Sequence, residues 1–405
     1  MLPNKTKVKH SKKIKILFAG GGSGGHIYPV VAIIRELQEM APGAFKFYFI
    51  GPRSRLAKLV FAQEETKVYS TAGGKIRRYF SWKNFIDILI KFPISFFLSF
   101  FYVFLIAPDI AFSKGGYGAF PASLWSWFFQ VPLLVHESDS QMGRTNRLLA
   151  RLATQIFVSF PRGDYPFKQK QILSGNPIRQ ELLVPLSPSQ AKQELGLDPQ
   201  RPVLLILGGS QGSQFLNNII LTSLPDLLED FTIIHQSGEK DFKTVKTLSK
   251  VMVANDQQLN FYYPYPFLEE WRLKRAYNAA DLIISRAGGG TISEIAAFRK
   301  PSLLVPLTTA VAGSHQVSNA YRFARDKQRA VVVEEKNFTP HFFCETVHRL
   351  FRHPYLLVEM GTKASFFARP KAGKKIAKYL MQYFEQSEKQ GSYFEQSEKQ
   401  GSYFE

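Results

Sequence analysis

One cysteine, Cys344, is all the thiol that 405 residues carry. An internal disulfide and a cysteine-only zinc site are therefore excluded, and a reducing compartment is expected. Acid is scarce too: 32 Asp and Glu stand against 52 Lys and Arg, a formal charge of +20, which favours anionic partners such as phosphates, nucleic acid or an acidic membrane face. The lysine-rich start is followed by only a short apolar stretch, Ile16 to Ala19, before glycines interrupt it, so it lacks a signal-peptide core. The longest uncharged apolar run, Phe92 to Ala107, falls short of the ~20 residues of a spanning helix and reads as a buried or interfacial helix. No aromatic nucleic-acid motif accompanies the basic charge, so nucleic acid is not expected as a partner.

What is present is apolar residue, 45% of the chain with 14% aromatic, enough for two cores. Strand-like runs at Ile14 to Ala19, Phe45 to Ile50, Asp109 to Phe112, Pro132 to His136 and Gln155 to Ser159 alternate with helical lengths. After a proline-rich and polar stretch, Gly175 to Pro202, the pattern restarts at Val203 to Leu207, Thr232 to His235, Leu282 to Ser285, Ser302 to Val305 and Ala330 to Val333. This predicts an α/β chain of two doubly wound, parallel-sheet domains, residues 1–178 and 179–357. Residues 358–382 are expected as helices returning to the first domain. A tandem copy of YFEQSEKQGS fills most of residues 383–405, which are expected to be a disordered tail.

Three glycine turns follow strands and precede helices. Gly20 to Gly25 formally matches G-x-G-x-x-G, but the second strand ends FYFIGPRSR without the acid that a dinucleotide ribose requires. No G-K-[ST] follows any glycine run, so a P-loop is excluded as well. The second turn, Gly208 to Ser213, offers backbone amides and Ser210 to a phosphate. The third, Arg286 to Glu294, places Gly289, Gly290 and Thr291 at a helix start suited to a diphosphate. Glu294, in the first turn, is positioned either to accept hydrogen bonds from both ribose hydroxyls or to complement the helix terminus. His26, just after the first turn, is a candidate proton acceptor or phosphate partner, with a capping role as the alternative. His136 and Glu137 end a strand at the same ligand-binding edge and are candidate supports for the loop.

Taken together, GGSGGHIYPVVA (21–32), SKGGYGAFP (113–121), HESDSQMGRTNRLLAR (136–151), SGNPIR (174–179), GGSQGSQFLN (208–217), RAGGGTISEIAA (286–297) and HQVSNA (315–320) resemble, in order, the signatures of the MurG family of bacterial glycosyltransferases over roughly residues 14–335. The resemblance implies a GT-B fold, two Rossmann-like domains facing across a cleft. It also implies inverting transfer of N-acetylglucosamine from UDP-GlcNAc to the C4 hydroxyl of the muramyl sugar of lipid I, giving lipid II for peptidoglycan. Donor contacts implied by the match are Ser23, Gly24, Gly25, Arg179, Ser210, Gly289, Gly290, Thr291, Ile292, Ser293, Glu294 and Gln316, with Leu268 as a uracil-contacting backbone position. His26 matches the proposed general base, and Asp139, where the family usually has Asn, is a second candidate base or substrate contact. No metal and no cofactor is implied. The lipid acceptor implies a peripheral enzyme at the cytoplasmic face of the inner membrane, touching anionic lipid and other cell-wall synthesis proteins. Phe92 to Ala107, flanked by Lys75, Arg77, Arg78, Lys83 and Lys91, is the candidate membrane face, with a core helix as the alternative. The other readings are a related UDP-sugar enzyme, either a glycolipid transferase or an epimerase, and a catalytically silent scaffold.

Overall fold

The computed structural model describes residues 13–72, 87–209, 211–308, 314–325 and 328–401, with side chains described as far as residue 386 in the last helix. Ser210 and the basic residues Lys75, Arg77, Arg78 and Lys83 lie outside the described residues.

Two all-parallel sheets organise the chain. The first contains β1 (Ile14–Ala19), β2 (Phe45–Pro52), β3 (Lys67–Thr71), β4 (Ile110–Ser113), β5 (Leu133–Glu137), β6 (Gln155–Val158) and β7 (Gln171–Leu173), in spatial order β3-β2-β1-β4-β5-β6-β7. The second contains β8 (Val203–Leu207), β9 (Thr232–Gln236), β10 (Tyr262–Tyr265), β11 (Leu282–Ser285), β12 (Ser302–Leu304) and β13 (Val331–Val332), in order β10-β9-β8-β11-β12-β13. Each sheet reverses direction of winding beside its first strand, at β1/β4 and β8/β11. Ligand crevices form at such switch points.

Both faces of each sheet are buried, and the period-2 geometry of a strand divides the apolar residues between them. Ile16 and Phe18 of β1 join Phe47, Phe49, Phe112 and Leu134 under the helix Gly24–Met40. Leu17 and Ala19 face the other way, toward Val103, Ala122 and Leu149 from helices on the opposite side. The second sheet repeats the scheme: Leu204 and Ile206 pack beneath the helix Gln214–Asp230, while Leu205 and Ile283 meet Ile292 and Ile295.

After the second sheet, the helix Pro354–Ser365 still packs on second-lobe helices, and Gly361 sits against the carbonyl of Arg299. The return to the first lobe comes at the next segment, beyond Ser365. The final helix, Ala372–Gly401, buries Ile376, Ala377 and Leu380 in the first-lobe core, and Tyr379 meets Phe157 edge-on at 5.3 Å. Its backbone continues through both copies of the repeat as far as Gly401, where the sequence suggested a disordered tail. Gln, Glu and Lys are good helix formers, and a helix already anchored in a core extends without a new nucleation step.

The aromatic helix Phe92–Ile106 covers the first sheet with one side only. Phe96 and Phe100 pack on Trp125, at 4.7 and 4.9 Å between ring centroids, while Phe97, Phe101, Phe104 and Leu105 are exposed. The helical stretch is also longer than the uncharged run: Leu89–Ile106 is 18 residues with mean hydropathy 2.1, long and apolar enough to span by length and composition, and only 22% of it is buried. A purely core-facing helix is therefore not what the fold contains.

Candidate active site

The glycine turns at the two switch points open onto one cleft of about 870 Å³ between the lobes. Its first-lobe wall carries Ser23, Gly24, Gly25, His26, Lys114, Gly116 and Asp139, and its second-lobe wall carries Gly209, Leu268, Arg286, Gly288 to Thr291, Glu294 and Gln316. Of the residues expected at the site, Ile292 and Ser293 do not face it. Ile292 is buried in the core, and Ser293 donates from its hydroxyl to the Gly289 carbonyl at 2.8 Å.

On the first-lobe side, the helix Gly24–Met40 begins at Ser23, whose Oγ lies 2.9 Å from His26 Nδ1. The His26 ring fills the space over the Gly115-Gly116 turn, where both residues have φ above +80° and a β-carbon on Gly116 would lie 3.2 Å from Nε2. That backbone conformation favours glycine. Burial, and then the nearby Lys114 charge, lower the His26 pKa to about 4, so the imidazole is neutral near pH 7.

Lys114 is the group that sequence reasoning did not single out. It sits 4% exposed at the end of β4. Its ammonium donates to His136 Nδ1 at 2.8 Å, to Ser138 Oγ and to Asn176 Oδ1 at 3.4 Å. His136 Nε2 lies 3.1 Å from the Gly175 carbonyl, an acceptor only, so Nε2 carries the proton and Nδ1 accepts from the lysine. Burial, opposed by Glu137 and Asp139, pulls the Lys114 pKa down to about 8. A polar residue between a buried strand and a glycine turn was the available signal.

Glu137 serves the loop. One carboxylate oxygen accepts from the Asp139 amide at 3.0 Å, and the other accepts from the Gly143 amide and Asn146 Nδ2, both at 2.9 Å. Burial raises its pKa. Asp139 projects toward the second lobe, where Oδ1 accepts from Asn319 Nδ2 at 2.8 Å.

Across the cleft, the helix Gly289–Ala297 points its N-terminus into the cavity. Glu294 Oε2 accepts from the Tyr277 hydroxyl at 2.8 Å, and Tyr277 stacks on Phe298 at 4.5 Å. Burial raises the Glu294 pKa while Arg179 opposes the shift. Arg179 pairs with Glu270 at 2.6 Å, and its guanidinium lies 4.0 Å from the centre of the Tyr28 ring, fixing it between the lobes. Arg286 ties the second and third glycine turns together by donating to Ser213 Oγ at 2.7 Å and to Glu335 at 2.6 Å. Leu268 offers less than its assigned role needs from its amide, because that N–H already donates to Gln236 Oε1 at 3.2 Å. Gln316 Oε1 accepts from the Leu307 amide at 3.0 Å.

The chain is similar in sequence and fold to known proteins. The glycosyltransferase family 28 N-terminal domain matches residues 16–158, and the family 28 C-terminal domain matches residues 203–378. A UDP-N-acetylglucosamine–N-acetylmuramyl-(pentapeptide) pyrophosphoryl-undecaprenol N-acetylglucosamine transferase of Clostridium kluyveri is 34% identical over 345 residues, 84% of this chain and 93% of the relative. The enzyme of the same name from Clostridium tetani is 32% identical, over 87% of this chain and 94% of its own. The chain belongs to the MurG family of glycosyltransferases. The crystal structure of Acinetobacter baumannii MurG matches with a TM-score of 0.66 at 25% identity, covering 92% of this chain and 100% of that one. A UDP-GlcNAc 2-epimerase from Neisseria meningitidis, crystallised with UDP-GlcNAc, reaches the same TM-score at 15% identity, covering 91% of this chain and 100% of its own. It shares the fold. The two-domain GT-B architecture expected for MurG family members is the one observed.

Proposed function

We propose that this chain transfers N-acetylglucosamine from UDP-GlcNAc to the C4 hydroxyl of the muramyl sugar of lipid I, forming lipid II with inversion at the anomeric carbon. The observation that carries the reading is the shared cleft: a neutral, half-buried imidazole on one lobe and a diphosphate-suited helix terminus on the other line the same cavity.

The donor lies mainly on the second lobe. Amides at Gly289, Gly290 and Thr291, with Ser210, hold the diphosphate, Glu294 accepts from the ribose hydroxyls, Gln316 reads the sugar hydroxyls, and the Leu268 segment borders the uracil. Arg179 contributes positive charge nearby. Ser23, Gly24 and Gly25 of the first lobe add further donor contacts, and the acceptor hydroxyl enters beside His26. Its oxygen attacks the anomeric carbon opposite the leaving group. The bond to the β-phosphate oxygen breaks and its electron pair leaves with UDP, through an oxocarbenium-like transition state. His26 Nε2 takes the hydroxyl proton when Nδ1–H donates to Ser23 Oγ. Preorganised helix-start amides meet the charge growing on the diphosphate, where loss of one donor typically costs ~10²-fold in rate. Positioned proton transfer typically contributes roughly 10²- to 10⁴-fold.

The exposed face formed by Phe97, Phe101, Phe104 and Leu105, beside Trp127 and Phe128, rests on the cytoplasmic leaflet, where anionic headgroups meet the basic flank including Lys91. Incubation with labelled UDP-GlcNAc and a lipid I analogue tests the activity. The expected product is the β-linked disaccharide lipid, and His26→Ala reduces its formation at least ~10²-fold. Donor binding without product would support the silent-scaffold reading instead.

A further inference from the structure

The buried carboxamide of Asn319 joins the two lobes at the mouth of the donor helix. Asn319 is fully buried. Its Oδ1 accepts from the Ser140 amide at 2.7 Å, and its Nδ2 donates to Asp139 Oδ1 at 2.8 Å and to the Ala287 carbonyl at 3.1 Å. Ser140 and Asp139 belong to the first lobe, whereas Ala287 opens the glycine turn of the second. The same contact continues through Ser140 Oγ, 2.8 Å from Ser318 Oγ, and through Arg322, whose guanidinium donates to the Arg162 carbonyl.

Asp139 is fixed from its own side as well. Its amide donates to Glu137, and its carbonyl accepts from the Tyr165 hydroxyl at 2.8 Å. Lys114 and Glu137 of the first lobe are the charged groups that act on its carboxylate, and Arg322 of the second lobe lies near the Tyr165 ring that holds its carbonyl. Only an amide can accept from a backbone N–H while donating to a carboxylate and a carbonyl at once.

We infer that Asn319 and Asp139 form a latch that sets the approach of the donor-binding turn to the His26 side of the cleft, so that both are positioning residues for transfer. The inference rests on the transferase reading and deepens it. In-line attack requires the donor carbon on one lobe and the proton acceptor on the other to be placed to within an ångström, and misplacement of that size can cost ~10²-fold. The latch spans the gap that must be held.

The test is a carboxylate–amide exchange. Asn319→Asp sets two carboxylates face to face and is expected to lower kcat ~10²-fold, with Kd for UDP-GlcNAc changed less than ~3-fold, because most of the donor contacts lie within the second lobe. Adding Asp139→Asn to that variant restores an amide–carboxylate pair at unchanged net charge. It is expected to recover at least ~10-fold of the lost kcat, short of full recovery because the Ala287 carbonyl lacks its donor. Wild-type kcat in Asn319→Asp, or no recovery in the double variant, overturns the latch; the latter result is also the one expected if Asp139 carried the proton. Parallel loss of UDP-GlcNAc affinity overturns it as well, assigning Asn319 to the donor site. Wild-type protein inert toward UDP-GlcNAc and the lipid I analogue refutes the transferase reading alone. The latch is then judged by small-angle scattering: expansion in Asn319→Asp, reversed in the double variant, supports it, and identical profiles overturn it.

Discussion

The carbonyl oxygen of Ser138 presses on the Cα of Gly289, occupying space that a β-carbon there would need. The HESD turn of the first lobe and the Gly289-Gly290 start of the helix Gly289–Ala297 thus fit each other, and Asn176 closes on Gly290 so that a β-carbon would lie 3.4 Å from its Nδ2.

Gly289→Ala should therefore act on activity more than on folding. The new β-carbon meets backbone, so Tm is expected to fall modestly as the lobes part, while the displaced lobes should lower kcat/KM by about 10²-fold. Steady-state kinetics beside a thermal melt checks both. Unaltered kcat/KM would mean that the lobes work without this contact.

Lys114→Met removes a fixed charge beside His26. Since burial is the larger cause of the lowered pKa and Lys114 the second, the His26 pKa is expected to rise from about 4 while staying below 6.5. The acid limb of kcat/KM then moves to higher pH, readable also by NMR titration of the His26 ring. A limb that stays in place rules out the coupling. Three acceptors lose their shared donor, which should cost about 1–3 kcal/mol of stability.

Acid should destabilise the fold before most carboxylates titrate. Burial lowers the pKa of His26 to about 4, of His235 to about 3, and of His136 well below 6.5. The unfolded chain takes up protons at these imidazoles as pH falls below 6.5, while the folded chain does not. Stability contributed by the neutral rings is thus full above that value and declines toward pH 4. Denaturant melts at pH 7 and pH 4.5 should differ, with a shallower dependence in His235→Gln. Equal stabilities at both pH values would contradict the assignment.

Replacing Phe97, Phe101 and Phe104 together with Ser should lower the melt only slightly, because all three are exposed although Phe104 still meets Phe100 and Phe129. Co-sedimentation with anionic vesicles is expected to fall at least ~10-fold, given ~25 cal/mol per Å² of apolar surface withdrawn from water. Undiminished vesicle binding would remove this helix from the membrane face.

The fold was legible where strands are buried on both faces. All ten strand-like runs correspond to strands, among them Ile14–Ala19 and Val203–Leu207 with the expected bounds. The strands without a sequence signal, Lys67–Thr71, Gln171–Leu173 and Tyr262–Tyr265, lie at sheet edges, where residues are half-exposed and continuous apolar runs are not required. Pro264 within the last is tolerated because an edge strand need not donate on both sides. In the site, the glycine turns and His26 could be read from local pattern. Lys114 left only a weak local signal, a polar residue between a buried strand and a glycine turn, and Asn176 and Asn319 left none, since the partners of all three come from separate strands or from the opposite lobe and spacing along the chain does not encode those meetings.

The polypeptide passes between the lobes twice, and the two passages touch: Gln180 Nε2 donates to the Pro370 carbonyl at 2.8 Å, and Lys375 Nζ to the Leu173 carbonyl at 2.7 Å. Two crossings tied side by side leave one lobe fewer ways to twist against the other than a lone strand would. Cutting the chain after Ser365 would strip a helix whose Ile376, Ala377 and Leu380 fill the first-lobe core, and leave one crossing where there were two.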